Sequence, residues 1–172
     1  LAHVIALLKD RRLSLRWCQI IGDDPARITT TLRQAHQSGE LVFCCGGIGA
    51  TPDDYTRQCA AEALERPLTR HPGAEAEIIA QFGEAAFPNR VLMADLPDGA
   101  ALIPNPKNRV PGFSLGHLHF VPGFPEMAWP MIAWVLDQQY PHLPPDASNL
   151  EVAFILPDAK EADLLGTMQD LL

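Results

Sequence analysis

An α/β fold, a three-layer α/β/α sandwich with a mostly parallel sheet, follows from three features of the chain. Strand-length apolar runs alternate with helix-length amphipathic runs, the pattern of helices packed on both faces of a sheet. Tight turns rich in glycine, proline and aspartate stand at the carboxyl ends of the strand-like runs. The run Leu41-Val42-Phe43-Cys44-Cys45 is apolar without alternation, as a strand buried on both faces of a parallel sheet requires.

Taken in order, Leu1, Val4, Ile5 and Leu8 form the stripe of an amphipathic helix that Lys9, Asp10, Arg11 and Arg12 carry into solvent. In an α/β pattern such a helix is fed by a strand and a βα loop, so sequence upstream of Leu1 is expected. Ser14 to Ile21 reads as a strand with Leu15, Trp17 and Ile21 on one face. Gly22-Asp23-Asp24-Pro25 then turns into a helix capped by Asp24, striped by Ile28, Leu32 and Ala35 and ended by Ser38-Gly39. After the Leu41–Cys45 strand and its glycines, Thr51 has the position of an N-cap, with Pro52 first in the helix and Asp54 closing a capping box.

That helix is expected to run to about Glu65, where Arg66-Pro67 breaks it. A helix from Pro72 to Gly83 presents Ala76, Ile79 and Ala80 on one face, and a short helical piece spans Asn89 to Asp95. Leu96-Pro97-Asp98-Gly99 reads as a turn, Ala100 to Ile103 as a short strand, and Pro104 through Gly112 as an irregular loop. A strand around Leu118 to Val121 meets the turn Pro122-Gly123-Phe124-Pro125, and a helix follows with Ala128, Met131, Ile132 and Val135 inside, ending near Tyr140. The division expected is a domain over 1–140, a Pro-rich linker over 141–149, and the start of a small α+β segment over 150–172. In that last segment Leu150, Val152, Phe154 and Leu156 share a strand face, and Leu164, Leu165, Met168 and Leu172 stripe a helix.

The bulk numbers narrow the partners. Of the 172 residues 21 are acidic and 13 basic, a formal charge of -8, which argues against nucleic acid or an anionic membrane as a partner. No uninterrupted apolar run reaches membrane-spanning length. Cys18, Cys44, Cys45 and Cys59 sit in apolar or helical contexts away from zinc-ligand spacing and read as buried thiols, which points to a reducing, cytoplasmic setting.

Ligands of open α/β sheets sit at the strand carboxyl ends. Gly22-Asp23, Gly46 to Asp54 and Pro122-Gly123 all follow expected strands, so one pocket can gather them. The glycines let main chain approach a ligand, and helix-start amides favour phosphate, but the acids beside them repel it unless a divalent cation such as Mg²⁺ intervenes. Asp23 and Asp54 are the sharpest pair: spacing alone favours a cap for each, and a cap can at once serve as a cation ligand or as a group that orients water. The glycine run has neither a Walker A ending nor G-x-G-x-x-G spacing. His117 and His119 alternate on a strand and read as solvated imidazoles of a hairpin edge rather than as metal ligands. Arg57, Lys107 and Arg109 are cations suited to phosphate or simply to solvent, and Trp129, Trp134, Met127 and Met131 read as helix packing.

The stretch Gly46-Gly47-Ile48-Gly49-Ala50-Thr51-Pro52-Asp53-Asp54-Tyr55-Thr56-Arg57 resembles the G-G-x-G-x-T-x-x-D-x-T signature of the molybdopterin-binding MoaB/Mog domain family. It is similar in particular to the T-G-G-x-G-P-T-x-D-D-x-T form of CinA-like proteins. Gly22-Asp23 resembles the family's earlier aspartate turn. Pro104-Asn105-Pro106 through Pro111-Gly112 resembles its Asn-Pro and Pro-Gly loop, and Val121 to Met127 its Leu-Pro-Gly-x-Pro-x-Glu-Met element. Gly-Phe-Pro-Glu-Met and Asn-Pro-Lys-Asn-Arg are similar to stand-alone bacterial proteins of this domain.

The resemblance implies a site for a phosphorylated pterin (molybdopterin) or a nucleotide diphosphate, with Mg²⁺ or another divalent cation. It assigns Asp23 and Asp54 to catalysis and metal binding, and Gly46, Gly47, Gly49, Thr51, Asn105, Pro122 and Gly123 to ligand binding. It implies a place in molybdenum cofactor chemistry by adenylyl transfer, or a CinA-like ADP-ribose pyrophosphatase, or a non-catalytic interaction module, and it implies self-association. Cys44-Cys45 stand where relatives have Thr-Thr, and Ala50 where CinA proteins have proline. The family's N-terminal strand with its Gly-Asp-Glu loop, and the deamidase domain of CinA proteins, have no counterpart in the 172 residues.

Overall fold

Asp24 starts its helix as its chemistry requires. In the computed structural model, which describes residues 1–144, its carboxylate accepts from the Ala26 amide at 3.1 Å, and Pro25 occupies the first turn of α2 (Pro25–Ser38). Gly39, at φ 68, takes the left-handed C-cap. Ile28, Leu32 and Ala35 form the buried stripe, as their spacing predicts.

A four-stranded sheet organises the rest. β1 (Val42–Cys45) pairs in parallel with β6 (Leu118–Val121), β6 pairs antiparallel with β5 (Gly112–Leu115), and β5 antiparallel with β4 (Ala101–Ile103), in the order β1-β6-β5-β4. The fold is α/β, but its sheet is mixed rather than mostly parallel. The reason lies in Gly116, whose φ of 60 lets Gly116-His117 close a tight hairpin between β5 and β6. β5 itself, hidden behind Pro111-Gly112, has no counterpart among the sequence expectations.

Residues of β6 alternate between two layers. Leu118 and Phe120 join Phe113 and Leu115 under α2, α3 (Thr56–Ala63) and α4 (Pro72–Phe82); Phe113 and Phe120 stack at 4.5 Å and are both fully buried. Val121 on the other face packs with Ile103, α1 (Ala2–Lys9) and α5 (Pro125–Gln139). Ala128, Met131, Ile132 and Val135 are the inward residues of α5, as expected. Arg11 ties α1 to α5 by bonding both oxygens of Asp137, at 2.8 and 2.9 Å.

Several expectations give way. Ser14 to Ile21 forms no strand: it runs over the surface with Ile20 94% exposed, held by Arg16 and the Trp17 indole on Glu40. Its pattern suits a strand, but no ladder partner for it exists among the described residues. α4 buries Ala74 and Ile78, on the side opposite the face expected, and leaves Ala76, Ile79 and Ala80 exposed; its start is capped by His71, and Arg70 bonds Glu75 in its first turn. Part of the expected turn at Leu96 is instead β3 (Asp95–Pro97), paired antiparallel with β2 (Leu68–Arg70). Cys18 and Cys45 are exposed rather than buried, while Cys59 is buried. The expectations for 150–172 lie outside the described residues, as does the end of the linker.

Candidate functional site

At the end of β1 the chain turns through Gly46 (φ 106) and Gly47 (φ 68), conformations that side chains oppose. Gly46 donates to the Val121 carbonyl at 2.9 Å, extending the parallel ladder by one bond. This brings it against Gly123 on the next strand-to-helix turn: a Cβ added to Gly123 would stand 3.4 Å from the Gly46 Cα. The two turns therefore meet main chain to main chain at the carboxyl ends of β1 and β6. α5 begins beside them without a side-chain cap; Pro125 has no amide hydrogen and Met127 and Ala128 donate to the Phe124 carbonyl, so of its first turn the Glu126 amide is the one with no hydrogen bond among the described residues.

Thr56 folds the loop back. Its amide donates to the Gly47 carbonyl at 2.9 Å and its hydroxyl to the Gly46 carbonyl at 3.0 Å. α3 consequently starts at Thr56, with Tyr55 as N-cap, and not at Pro52. The Thr51–Asp54 pair forms a separate turn ahead of the helix: Asp54 Oδ2 accepts from the Thr51 amide at 2.8 Å and its hydroxyl at 2.5 Å. Gly49 lies directly over that carboxylate, and a Cβ there would meet Asp54 Oδ2 at 2.5 Å.

Arg57 is not a free cation for phosphate. It is 4% exposed and donates to the main-chain carbonyls of Gly49 (2.8 Å), Asp95 (3.2 Å) and Leu92. Burial lowers its pKa, opposed by the nearby charges of Asp95 and Asp54. Asn105 is likewise spent within its own loop, donating to Asn108 and the Val110 carbonyl and accepting from the Lys107 amide. Arg109 pairs with Glu77 at 2.8 Å. His119 is fully buried between the Ser114 hydroxyl (2.8 Å) and the Tyr140 hydroxyl (2.9 Å), and burial pushes its imidazole down to about 4. Only His117 has the partly solvated character expected of both, stacked on His36.

The structure thus unites Gly46, Gly47, Gly49, Thr51, Asp54, Pro122 and Gly123 around one loop. Asp23 stands exposed on the turn before α2, with no hydrogen bond to that loop among the described residues. Nor do the described residues gather three His, Cys, Asp or Glu that could hold a metal ion. A cavity of about 300 Å³ lies behind the loop, where Asp54, Tyr55 and Arg57 meet Leu68, Leu92 and Asp95. One wall is the signature stretch itself, from Ala50 to Gln58, and the other is made by Leu68, Leu92 and Asp95, which no local motif marks.

An α/β sheet with helices on both sides and a glycine loop at the strand ends defines a class of small-molecule-binding domains. The chain belongs to the family described as probable molybdopterin binding domain, whose sequence model matches residues 1–142. It is similar to the CinA-like protein of Gloeobacter violaceus, 41% identical over 96 residues, which are 54% of this chain and 22% of that protein. It is also similar to the CinA-like protein of Anaeromyxobacter sp. (strain K), 35% identical over 125 residues, 69% of this chain and 31% of that protein. The chain therefore spans about a third or less of these curated relatives. Among solved structures it is similar to the protein CinA, of unknown function, from Thermoplasma acidophilum. The TM-score is 0.70 at 26% identity, covering 79% of this chain and 84% of that one. No helix among the described residues is long and apolar enough to cross a membrane.

Proposed function

We propose that the chain binds a phosphorylated pterin, molybdopterin, or a nucleotide diphosphate, with the phosphate over the Gly46-Gly47 and Pro122-Gly123 turns. The observation that carries this reading is the approach of Gly46 and Gly123, which makes a floor of bare main chain beside the uncapped start of α5. Such a floor suits an anion, because amides can reach it without side chains intervening and the helix dipole favours negative charge. Membership of a molybdopterin-binding family supports the pterin as ligand.

Asp54 holds the loop in shape through Thr51, and its Oδ1 takes no hydrogen bond among the described residues. The described residues do not form a protein-only cage for Mg²⁺, so in this reading a cation enters with the ligand's phosphates.

Isothermal titration with molybdopterin, ADP-ribose and ATP, each with and without Mg²⁺, tests the proposal. Binding is expected for at least one, weakened roughly tenfold or more in Gly123→Val, whose side chain fills the floor. No binding, or equal binding by parent and variant, overturns it. Measuring AMP release from ADP-ribose in the same samples separates simple binding from a pyrophosphatase.

A further inference from the structure

Arg57 stands in the first turn of α3 and is 4% exposed, a depth at which an unpaired cation is strongly disfavoured. Main chain from two separate parts of the fold holds its guanidinium there. Nη2 donates to the Gly49 carbonyl of the glycine loop at 2.8 Å, while Nη1 donates to the carbonyls of Leu92 and, at 3.2 Å, of Asp95. Asp95 also accepts from Arg70 through Oδ1 at 2.6 Å, so this far anchor is itself fixed to the β2–β3 pair. A planar guanidinium can reach carbonyls on two sides at once, which the single ammonium of a lysine cannot do in the same way.

The loop has little else to fix its tip. Gly46 and Gly47 are fastened to the Val121 carbonyl and to Thr56, and Ile48 packs into the core. Beyond them the Thr51–Asp54 turn closes on itself. From Gly49 to Pro52 the bond from Arg57 is, among the described residues, the one hydrogen bond that reaches past Asp54. Gly49 is also the residue packed on the Asp54 carboxylate, so the place of its peptide sets the place of that side chain.

We propose that Arg57 is a positioning residue for the glycine loop: it ties Gly49 to the Leu92–Asp95 segment and so fixes the loop tip, with Asp54, beside the floor made by Gly46 and Gly123. It acts through main chain and not by touching the ligand. The inference deepens the function proposed above and rests on it for the ligand, whereas the tie itself is a property of the free protein. Cutting the tie leaves the sheet and its two cores as they are and frees the segment from Gly49 to Asp54, which then has only its own turn to shape it.

Arg57→Gln, which is too short to span the two anchors, is compared with the parent by hydrogen exchange of peptides covering 49–55, 91–97 and 112–121, and by calorimetric titration with pyrophosphate. Exchange is expected to rise roughly tenfold or more over 49–55 while 112–121 stays within about twofold, and pyrophosphate binding to weaken roughly tenfold, the scale on which supporting residues act. Arg57→Lys, which keeps the charge and one reaching donor, is expected to show the same pattern to a smaller extent. Loop exchange like the parent's in Arg57→Gln overturns the inference. Weakened binding with unchanged loop exchange overturns it as well, since Arg57 would then touch the ligand, and so does faster loop exchange with unchanged binding. A uniform rise over all three segments, or loss of the folded state in both variants, means that Arg57 holds the whole domain rather than the loop, and overturns it too. A parent that binds no pyrophosphate counts against the glycine-floor reading, and the tie is then decided by the exchange pattern alone.

Discussion

Replacing Gly47 by alanine examines the loop where it is most constrained. Its φ of 68 costs an L-residue roughly 1–2 kcal/mol. A Cβ there would also lie 2.2 Å from Thr56 Oγ1 and 3.2 Å from Thr56 Cβ, and Thr56 is itself 4% exposed and β-branched, with little room to retreat. Moving its hydroxyl breaks the 3.0 Å bond to the Gly46 carbonyl, worth about 1 kcal/mol. The sum is a loss of about 2–3 kcal/mol, or about 4–12 °C in Tm for a chain of this length. Urea unfolding measures it, and a cycle with Thr56→Ala apportions it: the double variant should recover about 1 kcal/mol relative to additivity, because the clashing oxygen is gone. A Gly47→Ala variant within ~0.5 kcal/mol of the parent, or a strictly additive cycle, refutes the reasoning.

Two further outcomes follow from burial. His119 titrates at about 4 in the folded protein and near 6.5 when unfolded, so the unfolded chain takes up the proton first as pH falls. Its contribution is complete above about pH 6.5 and is lost between there and about pH 4, by at most about 3 kcal/mol. Urea titrations at pH 7.5 and 4.5 on the parent and His119→Gln check this; the same pH dependence in both would sink it. Among the thiols, Cys18 is exposed, Cys59 is buried, and burial pushes Cys44 up to about 12. A chromogenic disulfide should therefore label Cys18 first and reach Cys44 and Cys59 only on unfolding, an order that peptide mapping would confirm or contradict.

Local chemistry was legible wherever a residue acts on its own neighbours. Asp24-Pro25 starts a helix, Ala128, Met131, Ile132 and Val135 face inward, and Gly46 and Gly47 take conformations that only glycine takes cheaply. Legibility failed where a distant partner decides. Ser14 to Ile21 has a strand's alternation but lacks a ladder, and β2 and β3 are too short to announce themselves before Arg70 meets Asp95. Thr51 to Asp54 has the spelling of a helix cap, but Thr56 is drawn back to Gly46 and Gly47 and delays the helix. His119 and Arg57 are surface-type residues buried by partners that no spacing reveals: Ser114 and Tyr140 for one, three carbonyls for the other.

The contact of Gly46 with Gly123 also says who can discriminate between ligands. A surface of peptide units offers any anion the same amides, so it confers no preference among compounds sharing a phosphate. Selectivity must then reside in the rim, on side chains such as Asp54, Gln58, Leu92 and Asp95, which can vary without disturbing the joint between the two strands. Redesign of the ligand range belongs at those rim positions, with the glycine pair held fixed.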